Sequence, residues 1–205
     1  MNHVIAVAAP IGGGKTALVK AIANRLDDSA TIFFDHYEKI TESPVQDLEK
    51  WIAKGASFDD FTVPGLADDL KKLKRGESLF NPLTKTNTGP ARYILFEMPL
   101  GKEQNETAGY IDLLIWIDIP PDIALAQKLK EFTGDFLAGV IDPNPEKLVA
   151  WMDEYLDNYL KVVRKVLQIQ QQKVSRNADI IIDGMMDIDA MALRATKEIL
   201  ARIPR

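Results

Sequence analysis

The sequence that decides the fold runs from Val4 to Thr16 and reads VIAVAAPIGGGKT. An apolar run of strand length enters three consecutive glycines, and a Lys-Thr pair then opens a segment of good helix formers. Apolar residues recur in that segment at Leu18, Ile22 and Leu26, the spacing of one face of an α-helix. The stretch therefore predicts a buried strand, a glycine-rich turn and a helix, the setting in which a phosphate-binding loop forms.

The residue types in this loop suit the binding of phosphate groups. Three glycines in a row allow the backbone to curl so that several N–H groups point into one concavity. The following helix adds the partial positive charge of its N-terminus. Lys15 can reach the terminal phosphates of a nucleotide, and the Thr16 hydroxyl can bind Mg²⁺. Ala9 stands where the usual motif begins with glycine, and its small side chain still permits a close approach of phosphate. The residues predicted to contact the nucleotide are Gly12, Gly13, Gly14, Lys15, Thr16 and Ala17.

Length and composition narrow the class of protein. The 205 residues suit a single domain over 1–205, and the 46% apolar share suits an ordinary hydrophobic core. No apolar run approaches the roughly 20 residues of a membrane span. The chain has no cysteine and no signal-peptide pattern, so we expect a cytoplasmic protein that does not bind membranes. The net charge of −5 disfavours nucleic acid as a partner and favours a small-molecule substrate, while homo-oligomer formation stays open.

Apolar runs alternate with helical patterns along the whole chain. Further strands are predicted over 30–34, 93–96, 111–117 and 178–182, with helices between them. This alternation predicts an α/β fold with three layers, in which a five-stranded parallel sheet is flanked by helices. Residues 55–90 are expected to form a small insertion, 133–145 an irregular segment, and 146–173 one long amphipathic helix.

Acidic residues follow several of these predicted strands. Because ligands of open α/β sheets bind at the carboxyl ends of the strands, these side chains should lie near the phosphate loop. Asp35 could accept the proton of a substrate hydroxyl, and Glu97 could bind Mg²⁺ or its coordinated water. For Asp118, which shortly precedes Pro120 and a predicted helix, a helix-capping role is favoured instead.

Motifs scattered over about 1–185 resemble the uridine kinase-like branch of the P-loop kinases. Gly13-Gly14-Lys15-Thr16 resembles the phosphate loop of that family, and Phe34-Asp35-His36-Tyr37 resembles the end of its second strand. Ser57-Phe58-Asp59-Asp60 is similar to the family stretch whose aspartate binds ribose hydroxyls. The resemblance implies a P-loop NTPase fold, ATP and Mg²⁺ as cofactors, Asp35 as the base, Tyr37 beside the acceptor, and Asp59 as a ligand of acceptor hydroxyls.

The chain departs from the family pattern in two places. Residues 82–88 contain neither the Tyr nor the His of the family's base-binding ribbon, so uridine or cytidine is not implied as the acceptor. The predicted lid region, 120–145, contains no arginine, and its lysines are Lys128 and Lys130. Arg164, on the next helix, is a candidate replacement that could bind the substrate.

The expected function is that of an ATP-dependent kinase. It would transfer the γ-phosphoryl group to a hydroxyl of a nucleoside or another sugar- or polyol-type metabolite, with 55–90 as the acceptor-binding insertion. Two alternatives stay open. One is a regulatory nucleotide-binding protein with little transfer activity. The other is a P-loop kinase acting on a nucleotide or coenzyme precursor, whose anionic group would need basic residues near the insertion.

Overall fold

The computed structural model describes residues 2–37, 45–61, 63–81, 86–142 and 144–203. Its strands are β1 (His3–Ala8), β2 (Ser29–Ile32), β3 (Leu79–Asn81), β4 (Thr86–Thr88), β5 (Tyr93–Glu97), β6 (Leu113–Asp118) and β7 (Ile180–Asp183). Five of them form one parallel sheet in the order β2-β5-β1-β6-β7, and β3 and β4 form a separate antiparallel ribbon. The predicted α/β fold with a five-stranded parallel sheet is confirmed.

Helices cover both faces of this sheet. They are α1 (Lys15–Ala23), α2 (Val45–Ala53), α3 (Leu66–Lys74), α4 (Asn105–Ala108), α5 (Pro121–Leu137), α6 (Pro145–Asn158), α7 (Arg164–Val174) and α8 (Ile188–Arg202). Side chains from α1 and α8 pack on one face, and side chains from α2, α3 and α7 pack on the other. Because both faces are covered, the central strands are apolar at successive positions instead of alternating, which made them recognisable in the sequence.

The strand register brings the predicted site residues to one edge of the sheet. In the parallel pairing, Val7 of β1 lies opposite Glu97 of β5, and Ile32 of β2 lies opposite Phe96. The glycine-rich loop leaves β1 just beyond Val7, and Asp35 follows β2 in a short 3-10 turn, Phe34–His36. The carboxyl ends of these three neighbouring strands therefore converge.

Three sequence-based expectations about local structure are wrong. Residues 133–137 are not irregular, because α5 continues through them and Phe132 packs on Trp151 of α6 with ring centroids 3.8 Å apart. The helix predicted over 146–173 is divided by a π-helical turn, Tyr159–Val163, between α6 and α7. Asp118 does not cap α5, since it ends β6 and Pro120 occupies the N-cap.

A short antiparallel ribbon lies within residues 55–90, the segment predicted to be an insertion. Two short antiparallel strands, β3 and β4, lie within the 77–90 segment, and 82–85 fall outside the described residues. Within the described ranges, every helix is too short or too polar to cross a membrane.

Candidate phosphate-binding and transfer site

The glycine-rich loop follows β1 and has the backbone conformation that its sequence demands. Gly12 and Gly14 have φ angles of 76° and 80°, in the left-handed region that residues with a side chain rarely adopt. Gly13 N donates to Pro10 O at 2.9 Å, which closes the turn before α1 begins at Lys15. The loop thus leads directly into the N-terminus of a helix, the arrangement that favours bound anions.

Gly12 also lies directly against α5. A Cβ atom at Gly12 would come within 2.1 Å of Ala124 O and 3.1 Å of Lys128 Cβ. The loop and the first half of α5 therefore contact each other with no room for a side chain between them.

We expect Gly12→Ala to lower the free energy of unfolding by about 1–3 kcal/mol, because it adds both left-handed strain and a clash with Ala124 O. Chemical denaturation measures this loss. Gly134→Ala, within α5, is the matched control. A Cβ at Gly134 would meet nothing within 4 Å, so this change should be neutral or stabilising. Equal stabilities for the two variants would contradict the contact at Gly12.

The side chains that follow the loop meet the end of β5. Thr16 Oγ1 donates to Glu97 Oε2 at 3.0 Å, and Lys15 Nζ donates to Pro10 O at 3.2 Å. Glu97 is buried, with only 4% of its surface exposed. Burial raises the pKa of the Glu97 carboxyl, while Lys15 and the hydrogen bond from Thr16 act in the opposite direction.

The charges around Lys15 show which groups share this site. Burial lowers the pKa of the Lys15 ammonium, and the Glu97 and Asp35 carboxylates oppose that change. Lys128 on α5 lowers the Lys15 pKa further, and Glu131 counters it. Lys15 therefore lies among two acidic groups from β5 and the end of β2 and a second lysine from α5. A bound polyphosphate would neutralise the two neighbouring cations.

The donor atoms present fit Mg²⁺ held jointly by protein and nucleotide. A hydroxyl and a carboxylate, from Thr16 and Glu97, supply the hard oxygen ligands that Mg²⁺ prefers. Within the described residues, no cluster of three or more His, Asp or Glu side chains could hold a metal alone. Such a site matches the usual way Mg²⁺ is bound in phosphate-transfer proteins, through one or two protein groups and the phosphates.

We expect Glu97→Gln to separate stability from metal binding. Since the pKa of Glu97 is raised above its ordinary value of 4.5, the folded state binds more protons than the unfolded state at pH values between 4.5 and the raised pKa. The wild type should therefore lose stability as pH rises above that value, and the glutamine variant should lose less. The melting temperature of the variant relative to the wild type should therefore increase from pH 5 to pH 8, and the variant should need about 10- to 100-fold more Mg²⁺ for nucleotide binding.

Thermal melts at pH 5 and pH 8, with Mg²⁺ titrations in the presence of ATP, measure both effects. The exposed Glu106→Gln is the matched control and should change neither quantity. A glutamine variant with unchanged Mg²⁺ dependence would contradict the metal role predicted for Glu97.

Two other predicted substrate-binding residues are engaged within the protein. The Tyr37 hydroxyl donates to Asp69 Oδ2 at 3.0 Å, and its burial raises the pKa of Tyr37. Asp59 accepts from Asn105 N at 2.7 Å and from Asn105 Nδ2 at 2.6 Å, so it stabilises the start of α4. Each carboxylate oxygen keeps a lone pair for a further donor, and the substrate-binding roles of both residues stay predictions.

Arg164 lies apart from this group of residues. It begins α7 and lines a cavity whose walls include Pro10 but not Lys15, Asp35 or Glu97. The structure therefore brings Lys15, Thr16, Glu97 and Asp35 together but does not place Arg164 with them.

Sequence reasoning missed one buried residue beside the loop. Gln170 of α7 is 5% exposed, and its Nε2 donates to Ala9 O at 3.2 Å and to Pro99 O at 2.8 Å. It thus ties the start of the loop to the segment after β5. The available signal was weak, because a polar residue on a helix of mixed composition is ordinarily exposed to solvent.

Comparisons with known proteins agree with this architecture. The chain matches no protein-family model and no curated relative. Among solved structures it is similar to a possible uridine kinase from Bacillus stearothermophilus, with a TM-score of 0.54, 12% identity and 89% of each chain covered. It is also similar to a candidate fructose transport system kinase from a Silicibacter species, with a TM-score of 0.53, 14% identity, and 88% and 89% covered.

A third similar structure is shikimate kinase from Acinetobacter baumannii in complex with shikimate. The TM-score is 0.52 and the identity 16%, with 100% of this chain and 97% of that chain covered. At such identities the likeness shows the fold. The chain has the fold of the P-loop kinases, and the resemblance to their uridine kinase-like branch is confirmed at that level.

Proposed function

We propose that this protein is an ATP-dependent kinase that transfers the γ-phosphoryl group to a hydroxyl of a small metabolite. The observation that carries the proposal is the hydrogen bond from Thr16 Oγ1 to Glu97 Oε2 beside the phosphate loop, with Lys15 and Asp35 in the same electrostatic environment. In this proposal these residues supply a phosphate cradle, a metal site and a carboxylate base at one edge of the sheet.

Each residue has a defined task in this proposal. The loop amides and Lys15 bind and orient the phosphates, and Thr16 and Glu97 hold Mg²⁺. When bound, ATP–Mg²⁺ supplies the phosphoryl group and an electrophilic phosphorus. Asp35 accepts the proton of the acceptor hydroxyl as the oxygen of that hydroxyl forms a bond to the γ-phosphorus, and the bond from this phosphorus to ADP breaks. Lys128, against the loop, adds positive charge where negative charge accumulates.

A neutral polyhydroxy acceptor is the favoured substrate class. Asp35 is an exposed carboxylate at the end of β2, which suits contact with a hydroxyl group. The similar structures are named as a possible uridine kinase, a candidate fructose transport system kinase and a shikimate kinase with bound shikimate. Uridine, fructose and shikimate each carry several hydroxyl groups, and shikimate also carries a carboxylate. They support an alcohol acceptor without identifying it.

The test is ATP consumption with Mg²⁺ across a panel of nucleosides, sugars, polyols, nucleotides and coenzyme precursors. We expect turnover that depends on one neutral polyhydroxy acceptor, with a stoichiometric phosphorylated product. Turnover with anionic acceptors alone would instead identify a kinase that acts on a nucleotide or on a coenzyme precursor. Tight ATP binding with no acceptor-dependent turnover would replace the kinase with a regulatory nucleotide-binding protein.

A further inference from the structure

A cavity of about 390 Å³ lies beside the phosphate loop, between the end of β6, the first turns of α5, and the α6–α7 junction. Its volume is within the range of small-molecule sites in proteins. The π-helical turn Tyr159–Val163 contributes to its wall, and such turns often occur at functional sites. Its walls include Pro10, Trp116, Asp122, Leu125, Arg164 and Leu167.

This cavity is separate from the proposed transfer site. Asp35 follows β2, at one edge of the sheet, whereas Trp116 belongs to β6, on the far side of β1. Three strand spacings separate β2 from β6, a distance of about 14 Å. Lys15, Asp35 and Glu97 are not among the described residues that line the cavity.

The walls are apolar, and their charged groups lie at exposed positions. Trp116, 1% exposed, forms part of the wall with Leu125 and Leu167. Its indole nitrogen has no hydrogen-bond partner within the described part of the chain. Arg164 and Asp122 are the charged residues among the described lining residues, and both are exposed.

The guanidinium of Arg164 is available to a ligand. Among the described residues, the Arg164 side chain makes no hydrogen bond or ion pair, although Asp122 lines the same cavity. An unpaired arginine beside an apolar cavity is suited to a carboxylate, which it can bind through two parallel hydrogen bonds. The apolar walls would then bury the rest of the ligand.

We propose that this cavity is a second small-molecule site, which binds an organic acid with an apolar ring or chain. The carboxylate pairs with Arg164, and the apolar part lies against Trp116, Leu125 and Leu167. Because Pro10 lines the cavity and its carbonyl accepts from Lys15 Nζ, the ligand lies next to the phosphate loop without occupying it.

The test uses calorimetric titration of the full chain, without nucleotide, with phenylacetate, cinnamate and octanoate. The corresponding amides have the same apolar parts without the charge. We expect at least one acid to bind with a dissociation constant of about 1 mM or below, and its amide to bind about tenfold or more weakly. Arg164→Gln should weaken binding of the acid by the same factor and leave the affinity for the amide unchanged.

Two further variants complete the design. Lys165→Gln removes a neighbouring exposed charge of α7 outside the cavity wall and should have no effect. Leu125→Trp narrows the cavity and should abolish binding of the acid, with circular dichroism confirming that the variant is folded. The proposal is overturned if none of the acids binds, or if binding is equal in the wild type and Arg164→Gln. Because no nucleotide is present, these outcomes are independent of whether the protein is a kinase.

Discussion

Replacing Asp35 by asparagine should reduce phosphoryl transfer by about 10²- to 10⁴-fold while nucleotide affinity changes little. The amide has nearly the same shape as the carboxylate but cannot accept the proton of the acceptor hydroxyl. Asp35 is exposed, in the turn after β2, so the change should not disturb the core. The measurement is steady-state turnover with the acceptor found in the substrate panel, alongside ATP titration of the same preparation.

Asp27→Asn is the matched control for this variant. Asp27 is also an exposed aspartate, but it precedes β2 and therefore lies at the opposite end of the same strand. It should retain full turnover. If Asp35→Asn lost ATP affinity and turnover by the same factor, Asp35 would be a determinant of nucleotide binding and not the base.

Replacing Lys15 by alanine should weaken ATP binding by about 10- to 100-fold, since a charge-assisted contact is worth roughly 1.5–3 kcal/mol. Removal of the ammonium also leaves buried Glu97 without the cation that offsets its desolvation. The pKa of Glu97 should consequently rise further, so Mg²⁺ binding should weaken as well. Calorimetric titration with ATP, with and without Mg²⁺, measures both losses.

Lys20→Ala, on the exposed surface of the same helix, is the matched control and should bind ATP normally. Unchanged ATP affinity in Lys15→Ala would contradict the assignment of residues 9–16 as the phosphate loop. It would also remove the basis for the proposed kinase activity.

The fold could be predicted because the residues that indicate each strand, turn and helix are adjacent in the sequence. An apolar strand, three glycines and a Lys-Thr pair leave few alternatives to a strand, a turn and a helix, and the remaining strands are short apolar runs between helical patterns. The length of α5 was missed because residues 133–137 carry a glycine that suggested a loop, while the contact of Phe132 with Trp151 of α6 is tertiary and shows in no local pattern. The π-helical turn Tyr159–Val163 likewise has no recognisable pattern in the sequence.

The site was predictable where sequence position fixes position in space. Asp35 and Glu97 each follow an apolar run, and parallel strands place their carboxyl ends at one edge. The partners of Tyr37 and Asp59 were not predictable, because Asp69 and Asn105 are distant in sequence and belong to other elements. Their roles, the division into insertion and lid, and the cytoplasmic location stay predictions.

The contact between Gly12 and Ala124 restricts how this protein can move. Because no side chain separates the loop from α5, the first half of that helix packs directly on the loop backbone. We therefore expect any movement of α5 relative to the sheet to bend the helix beyond Lys128 or to carry the glycine-rich loop along with it. A displacement of the far end of α5, up to Leu137, would then be transmitted to the candidate phosphate-binding loop.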